Sequence, residues 1–437
     1  MYGDYSKSFK MKALSHRFWE EETLRLLVYE YVCGGGFAGK VIPSSVLSEG
    51  FGMLRTLISD FKAARHSVTS VLDSRLAVLN PPINADCIIP VSSSREAEVA
   101  IQKTSESADA AYIIAPESNQ VLQSLVECTE GSGVPSLNCR ASAIGRVSNK
   151  LSLLECVKKM GLPTPATILV SALEDTAKIK QTINGELDFP LIFKPVDGVG
   201  CGGLSVIQNE NQMADAVDKI KRESSNKHFI AQELIHGVPV SVSLISTERK
   251  VVPISLNKQN VSLALPNSIS NYLGGLVPFK NPLKREAFAM AKKIVKSLRG
   301  VRGYVGVDLV LTKKEPVVIE VNPRLTTSFI GMRKTVNFNL AQAIINAVLK
   351  GELPAKNLSS GYSFFSKIIT PEPSAEALQK TYEMDELISP AFPVSGNGTA
   401  CALLLSHRAT VKEAMSGFHE AKKHLLNTLH ISGGKRW

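Results

Sequence analysis

The sequence predicts an α/β protein with an N-terminal doubly wound parallel sheet, followed by an α+β region and a small C-terminal β-α element. Three observations support this prediction. Short apolar runs alternate with helical periodicity over residues 23–145, which is typical of a parallel sheet covered on both faces. Over residues 146–350, apolar runs come in pairs joined by short loops, which indicates antiparallel hairpins. Residues 351–437 end in one apolar run and one long helical pattern.

The elements follow from these patterns in chain order. Strands of the parallel sheet are predicted at residues 24–32, 68–72, 87–91 and 111–115, with helices at 46–65, 96–107 and 119–130. An amphipathic helix at 149–160 opens the α+β region, whose hairpins join 190–196 to 203–207 and 304–311 to 316–321. Further helices are predicted at 212–223, 282–298 and 341–350, and the C-terminal extension holds a strand at 399–406 and a helix at 411–429. Residues 1–22 lack the apolar segment of a secretory signal and are predicted to be an N-terminal extension.

Composition excludes several classes of protein. The 437 residues are 44% apolar and 21% charged, as in ordinary globular chains. No apolar run approaches the roughly 18 residues of a membrane span. The seven scattered cysteines form no CxxC pair, which favours a reducing cytoplasm over a disulfide framework or zinc site. The net charge of +10 is not accompanied by aromatic clusters, so we expect small anionic ligands and neither nucleic acid nor membrane as partners.

A glycine cluster, DGVGCGG at residues 197–203, follows the strand that contains Lys194. It includes G-x-G-x-x-G, but the next residues, LSVI, indicate a strand and not the helix that a dinucleotide fold requires. A glycine loop between antiparallel strands is instead a flap that can close backbone N–H groups over phosphate. Lys194 is the single lysine of an apolar run, and its burial is costly unless an anion compensates. It is predicted to bind phosphate; the alternative is a snorkelling lysine at a sheet edge.

Two carboxylates lie within apolar strands of the second hairpin. If its turn is centred near Lys314, Asp308 and Glu320 fall opposite each other, and Asn322 shares the face of Glu320. Like charges placed side by side share a proton unless a cation lies between them. Oxygen ligands suit Mg²⁺, whose shell nucleotide phosphates can complete. Arg324 is then placed to meet those phosphates; the alternative is a structural salt bridge with one of the two carboxylates.

Residues 229–235 read as a strand that passes into a linker, where backbone groups can meet a purine edge. Within this segment, a surface position for Glu233 is the alternative. Residues 145–350 resemble the ATP-grasp family, because they contain its motifs in the same order: the lysine strand, the glycine flap, the strand–linker segment and the D…E-x-N-x-R hairpin. The preceding α/β unit resembles the domain that usually accompanies it.

The resemblance implies a two-subdomain fold with ATP between the subdomains. It implies that Lys150 and Lys194 contact the phosphates, and that the flap covers them through Gly198, Gly200, Gly202 and Gly203. Adenine would be bound by Gln232, Glu233, Leu234 and Ile235. Mg²⁺, or Mn²⁺ in its place, would be held by Asp308, Glu320 and Asn322, with Arg324 as a catalytic residue beside the transferred phosphate. Relatives carry a ribose-binding acid within residues 237–241 that this sequence lacks, and Ser241 and Ser243 are its candidate substitutes.

Three short motifs, VYEYVCGGG, GVPVSVS and NYLGG, resemble the branch of the family that contains archaeal tyramine–glutamate ligase. This resemblance implies an ADP-forming carboxylate–amine ligase that works through an acyl phosphate and joins tyramine or a similar amine to the side chain of glutamate. Lys258 is a candidate catalytic contact to the acyl phosphate, or else a solvated loop lysine. A biotin carboxylase-like activity, another amino-acid ligase and a non-catalytic ATP-binding regulator are the alternatives. The family also implies a homodimer.

Overall fold

The computed structural model describes residues 23–196, 201–224, 226–355 and 359–429. The predicted extension at residues 1–22 and the predicted flap residues Gly198 and Gly200 therefore lie outside the described residues. Among the described residues, no helix is both long enough and apolar enough to cross a membrane.

The N-terminal unit is a parallel sheet in the strand order β3-β2-β1-β4. Its strands are β1 (Arg25–Glu30), β2 (Ser67–Asp73), β3 (Cys87–Val91) and β4 (Ala110–Ile114). The helices are α1 (Ser44–Ala63), α2 (Ser74–Ala77), α3 (Ser94–Ser107), α4 (Val121–Gly131) and α5 (Ala141–Ser148). Side chains of β1 alternate between two cores, Leu26 and Val28 in one and Leu27 and Tyr29 in the other. Both faces of the sheet are thus covered, as the continuous apolar run of β1 predicts.

A four-stranded antiparallel sheet follows, in the order β5-β8-β6-β7. Helix α6 (Lys150–Lys159) leads to β5 (Thr167–Ser171), α7 (Thr176–Ile183), β6 (Leu191–Pro195), β7 (Ser205–Ile207), α8 (Met213–Glu223) and β8 (His228–Glu233). Its side chains form a core of their own, in which Phe193 and Phe229 pack with ring centroids 4.8 Å apart. The pairing of Leu191 with Ile207 confirms the first predicted hairpin. We call this unit the small sheet.

The large sheet is antiparallel and has the order β13-β12-β9-β10-β11-β14-β16-β15. Its first five strands along the chain are β9 (Val238–Thr247), β10 (Val251–Ser262), β11 (Asn271–Val277), β12 (Arg302–Leu311) and β13 (Pro316–Asn322). Helices α9 (Lys284–Ser297), α10 (Ser328–Met332) and α11 (Leu340–Ile345) pack around it, and a π-helical turn at Asn346–Lys350 continues α11.

Residues after 350 continue the large sheet. Their strands are β14 (Tyr362–Pro371), β15 (Leu387–Ser389) and β16 (Thr399–Arg408), with helices α12 (Ala375–Lys380) and α13 (Val411–Thr428). The predicted strand and long helix correspond to β16 and α13, whereas β14 and β15 were not predicted. Because β14 pairs with β11, the C-terminal segment is part of the same sheet that carries the Asp308–Glu320 hairpin. The domain boundaries near residues 145 and 350 stay predictions.

Candidate active site

The β12–β13 hairpin brings Asp308 and Glu320 together. Leu309 pairs with Val318 and Asp308 with Glu320, so Ile319 is an extra residue in β13. This bulge is what sets the two acids opposite each other. Asp308 accepts hydrogen bonds from Asn322 Nδ2 at 3.1 Å and from Gln259 Nε2 at 3.2 Å. The predicted grouping of the two acids with Asn322 is therefore present in the structure, and Gln259 of β10 is a neighbour that the sequence did not reveal.

The electrostatic surroundings shift the pKa values of Asp308 and Glu320 in opposite directions. Burial raises the pKa of Asp308, and the charge of Glu320 raises it further. Burial would also raise the pKa of Glu320, but the ammonium groups of Lys150 and Lys194 outweigh it and lower that pKa. Glu320 is therefore ionised at neutral pH, and Asp308 needs a cation to be fully ionised beside it. This donor set fits Mg²⁺, which commonly takes one or two protein carboxylates and completes its shell with phosphates and water.

Lys150 is the first residue of helix α6, and its side chain contacts Glu320. Its Nζ donates to Glu320 Oε2 at 2.8 Å. Burial alone would lower the pKa of Lys150, but the carboxylate of Glu320 reverses this effect and raises it. Lys150 therefore keeps its charge next to the carboxylate pair.

Lys194 lies on β6, between β8 and β7, and is buried. The interpretation of Lys194 as a snorkelling edge lysine is thus wrong. Its Nζ donates to Gln232 Oε1 at 2.9 Å, and Gln232 Nε2 donates to Thr167 Oγ1 at 2.8 Å. Burial lowers the pKa of Lys194 to about 8, and the charge of Lys150 contributes to this shift. A buried ammonium group bonded to a neutral amide is suited to an anion such as a phosphate.

The described end of the glycine cluster turns tightly against β6 and α8. Gly203 has φ +68°, a Cβ there would lie 2.7 Å from Pro195 Cγ, and its N–H donates to Glu223 Oε2 at 2.5 Å. Gly202 lies beside it in the same turn and is exposed. The geometry explains the need for glycine at position 203. The phosphate contacts of the cluster stay predictions.

The predicted adenine segment divides into a buried and an exposed part. Gln232 is buried and bonded to Lys194, whereas Glu233 is exposed and accepts a hydrogen bond from the Ala166 N–H at 3.2 Å. Leu234 N–H donates to Pro190 O at 3.4 Å, and Ile235 lies half-buried where the chain leaves β8. Glu233 thus has the surface position of the alternative interpretation, and its contact with adenine stays a prediction.

Arg324 is held by an acid from the N-terminal unit. Its Nε donates to both carboxylate oxygens of Glu117, at 2.9 and 3.0 Å. A salt bridge of Arg324 with Asp308 or Glu320, the alternative drawn from the sequence, is therefore wrong. Glu117 escaped the sequence analysis, although it follows the buried strand β4. The carboxyl ends of parallel strands are where ligand-binding residues gather in α/β folds.

Two sequence-based expectations place side chains where the structure does not. Lys258 is exposed, and its Nζ lies 5.8 Å from the ring centroid of Phe279. Because side chains alternate along β10, its neighbour Gln259 reaches Asp308 and Lys258 does not. The structure therefore does not place Lys258 beside the two acids, and its contact with the acyl phosphate stays a prediction.

The second expectation concerns Ser241 and Ser243 of β9 as substitutes for the ribose-binding acid. Both are buried, with Ser241 bonded to Ser328 at 3.2 Å and Ser243 to the Tyr304 hydroxyl at 2.8 Å. Asn257 Nδ2 also donates to the two serine hydroxyls. Buried side chains that are already hydrogen-bonded within the protein do not replace a ribose-binding acid.

Two family models match the chain. A model of the ATP-grasp domain matches residues 147–328, and a model of the pre ATP-grasp 3 domain matches residues 66–144. The two matches together span more than half of the chain. The chain belongs to the ATP-grasp superfamily. It is an ADP-forming ligase, and the family resemblance inferred from the sequence motifs is confirmed.

Relatives and solved structures agree with this assignment. Tyramine–L-glutamate ligase of Methanocaldococcus fervens is 28% identical over 333 residues, which cover 76% of this chain and 96% of the relative. The biotin carboxylase domain dimer of Hydrogenobacter thermophilus 2-oxoglutarate carboxylase, solved with MgADP and bicarbonate, superposes with a TM-score of 0.68 at 15% identity, covering 92% of this chain and 90% of that one. L-amino acid ligase from Bacillus licheniformis superposes with a TM-score of 0.64 at 15% identity, covering 92% of this chain and 97% of that one. These structures confirm the predicted fold.

Proposed function

We propose that this ATP-grasp ligase joins an amine such as tyramine to the side-chain carboxylate of glutamate. The reaction passes through an acyl phosphate and releases ADP and phosphate. The observation that carries the proposal is the meeting of the buried Lys194 and the partly buried Lys150 with two opposed carboxylates. Lys150 Nζ lies 2.8 Å from Glu320, Glu320 pairs with Asp308, and Lys194 acts on the same carboxylate from the small sheet. Cations for phosphate and oxygen ligands for a metal thus lie in one cluster.

Each side chain has a role in this reaction. Lys150 and Lys194 bind the phosphates of ATP, and the flap glycines cover them with backbone N–H groups. Asp308, Glu320 and Asn322 hold Mg²⁺, or Mn²⁺, which supplies positive charge to the phosphates. Arg324, oriented by Glu117, stabilises the charge that develops as the phosphoryl group moves to the substrate carboxylate. The amine then displaces phosphate, so the protein needs to supply position and charge but no nucleophile.

The proposal for the substrates rests on the relative that is 28% identical and almost fully covered. A homodimer and a cytoplasmic location stay predictions. The H. thermophilus neighbour was solved as a domain dimer, which supports testing the homodimer.

The test measures ADP and phosphate release together with amide formation, using Mg·ATP and a matrix of carboxylates and amines. The matrix holds glutamate, other amino acids and bicarbonate against tyramine and other amines. We expect amide only with glutamate and an amine, and a loss of about 10²–10³-fold in kcat for Asp308→Asn. Glu315→Gln is the matched control, because Glu315 is exposed in the turn of the same hairpin. ADP release with bicarbonate and no amide would point to carboxylase chemistry, and ATP binding without turnover would point to a regulator.

A further inference from the structure

A buried ion pair between Lys367 and Glu49 connects the C-terminal strand β14 to helix α1. Lys367 Nζ lies 2.6 Å from Glu49 Oε1, and the two side chains are only 6% and 20% exposed. Lys367 also donates to Ser45 Oγ at 2.8 Å, and Glu49 Oε2 accepts from Thr327 Oγ1 at 2.8 Å. Removing two charges from water is costly, and their attraction seldom repays that cost fully. A buried pair of this kind therefore calls for a functional explanation.

Intervening side chains connect the pair to the carboxylates proposed to bind the metal. Thr327, which bonds Glu49, is followed by Ser328, whose hydroxyl is 3.2 Å from that of Ser241. Ser241 in turn pairs with Asp308 across β9 and β12. A continuous series of contacts thus leads from Glu49 to Asp308.

The pKa of Cys201, at the described end of the glycine cluster, is influenced by Glu320 and by the Lys367–Glu49 pair. Burial raises the pKa of its thiol to about 11; the charges acting on it include the carboxylates of Glu320 and Glu49 and the ammonium group of Lys367. Cys201 therefore lies within electrostatic range of Glu320 and of the Lys367–Glu49 pair.

Tyr272 of β11 packs against the ion pair. Lys367 Nζ lies 5.8 Å from the centroid of its ring. Burial raises the pKa of Tyr272 well above its usual value, and the negative charges of Glu49 and Asp308 raise it further. Tyr272 thus contacts the ion pair through the ammonium group of Lys367. The cluster around the ion pair thus combines one ammonium group, one carboxylate, two hydroxyls and an aromatic ring.

We propose that Lys367 and Glu49 bind the α-carboxylate and the α-ammonium group of an amino acid substrate. A zwitterion carries one charge of each sign, so it can exchange partners with the pair and leave no buried charge unpaired. A substrate that lacks either group leaves one protein charge without a partner, which makes the pair selective. This inference rests on the proposed function, and it adds that the C-terminal segment completes the substrate site. The side-chain carboxylate of the amino acid then extends towards Asp308 and Glu320.

The test compares L-glutamate binding to Lys367→Gln, Glu49→Gln and the unaltered protein by calorimetry in the presence of Mg·ADP. We expect each substitution to weaken L-glutamate binding by at least about 30-fold, as for truncation of buried charge pairs, with the KM for ATP nearly unchanged. Wild-type protein should also reject glutarate and 4-aminobutyrate, which lack the α-amine and the α-carboxylate respectively. The double variant K367E/E49K restores the ion pair and the melting temperature but not the affinity for L-glutamate.

Arg333→Gln is the matched control, because the Arg333–Asp60 pair also attaches helix α1 to the region after β13. If Lys367 and Glu49 only hold α1 in place, Arg333→Gln will weaken L-glutamate binding as much as Lys367→Gln does. That result, or unchanged L-glutamate binding in both pair variants, overturns the inference. So does a wild-type protein that binds none of the twenty amino acids. The two proposals can also fail separately. If the wild-type protein binds L-glutamate but forms no amide, and the variants lose this binding, the proposed reaction is refuted and the binding site is supported.

Discussion

The small sheet and the large sheet each bury a lysine at the cleft, but they give its charge different partners. Lys194 of the small sheet is bonded to the neutral amide of Gln232, and burial lowers its pKa. Lys367 of the large sheet is bonded to the carboxylate of Glu49. A lysine with a neutral partner gains most from an anionic ligand, whereas an ion pair favours a ligand that carries both charges. We therefore propose that the small sheet binds the phosphates and the large sheet binds the amino acid.

The two sheets also differ in how they are stabilised. The small sheet packs around its own core of side chains, with Phe193 and Phe229 at its centre. The C-terminal half of the large sheet shares its core with helix α1, through contacts such as that between the rings of Phe51 and Phe392, 4.8 Å apart. Damage to the large sheet should therefore affect the whole molecule, and damage to the small sheet should remain local.

Gly274→Ala should have the largest effect on stability. Gly274 pairs with Ser366 where β11 meets β14, its φ is +139°, and a Cβ would lie 2.1 Å from Phe365 O. The clash is with backbone, so the strands must separate, and we expect a loss of at least about 3 kcal/mol in the free energy of unfolding. Gly351→Ala is the control, because its φ is +70° with nothing within 4 Å of the added Cβ. It should cost only about 1–2 kcal/mol. Urea unfolding measures both, and equal losses would refute the close approach of β11 to β14.

Lys150→Met and Lys194→Met should change stability in opposite directions. Lys150→Met takes the bonded ammonium group from Glu320, and we expect it to cost about 1–3 kcal/mol of unfolding free energy, since the pair is only partly buried. Lys194→Met removes a buried charge whose partner is neutral, and should be neutral or stabilising. Denaturant unfolding without nucleotide tests this contrast, and both variants should raise the KM for ATP. A larger loss for Lys194→Met would show that Gln232 compensates the charge better than we infer.

Local patterns predicted the strands of the parallel sheet and the acids of the hairpin, but not strands β9, β10, β11, β14 and β15 of the large sheet. Counting residues about Lys314 predicted that Asp308 faces Glu320, but the turn is centred between Lys313 and Lys314, and the bulge at Ile319 makes up the difference. The single lysine of an apolar strand marked Lys194. The sequence could not reveal Glu117 beside Arg324, or Lys367 beside Glu49. Those pairs join distant segments, and no periodicity connects their members. Nor could it show that Gln259, and not Lys258, reaches Asp308, because the face of β10 that meets Asp308 depends on pairing with β9, which the sequence does not determine.

The smallest expected effect is a proton taken up when ATP binds. In the free protein the pKa of Lys194 is about 8, because burial disfavours its charge. Phosphate beside the ammonium group raises this pKa towards its usual value of about 10.4. At pH 7 Lys194 is already mostly protonated, whereas at pH 9 binding must bring in on the order of one proton, so the affinity for ATP falls as pH rises through this window. Calorimetry in buffers of different ionisation enthalpy measures the uptake, and Lys194→Met should abolish it. If the uptake persists in Lys194→Met, the phosphates are not held by the lysine of the small sheet, and the division of roles between the two sheets fails.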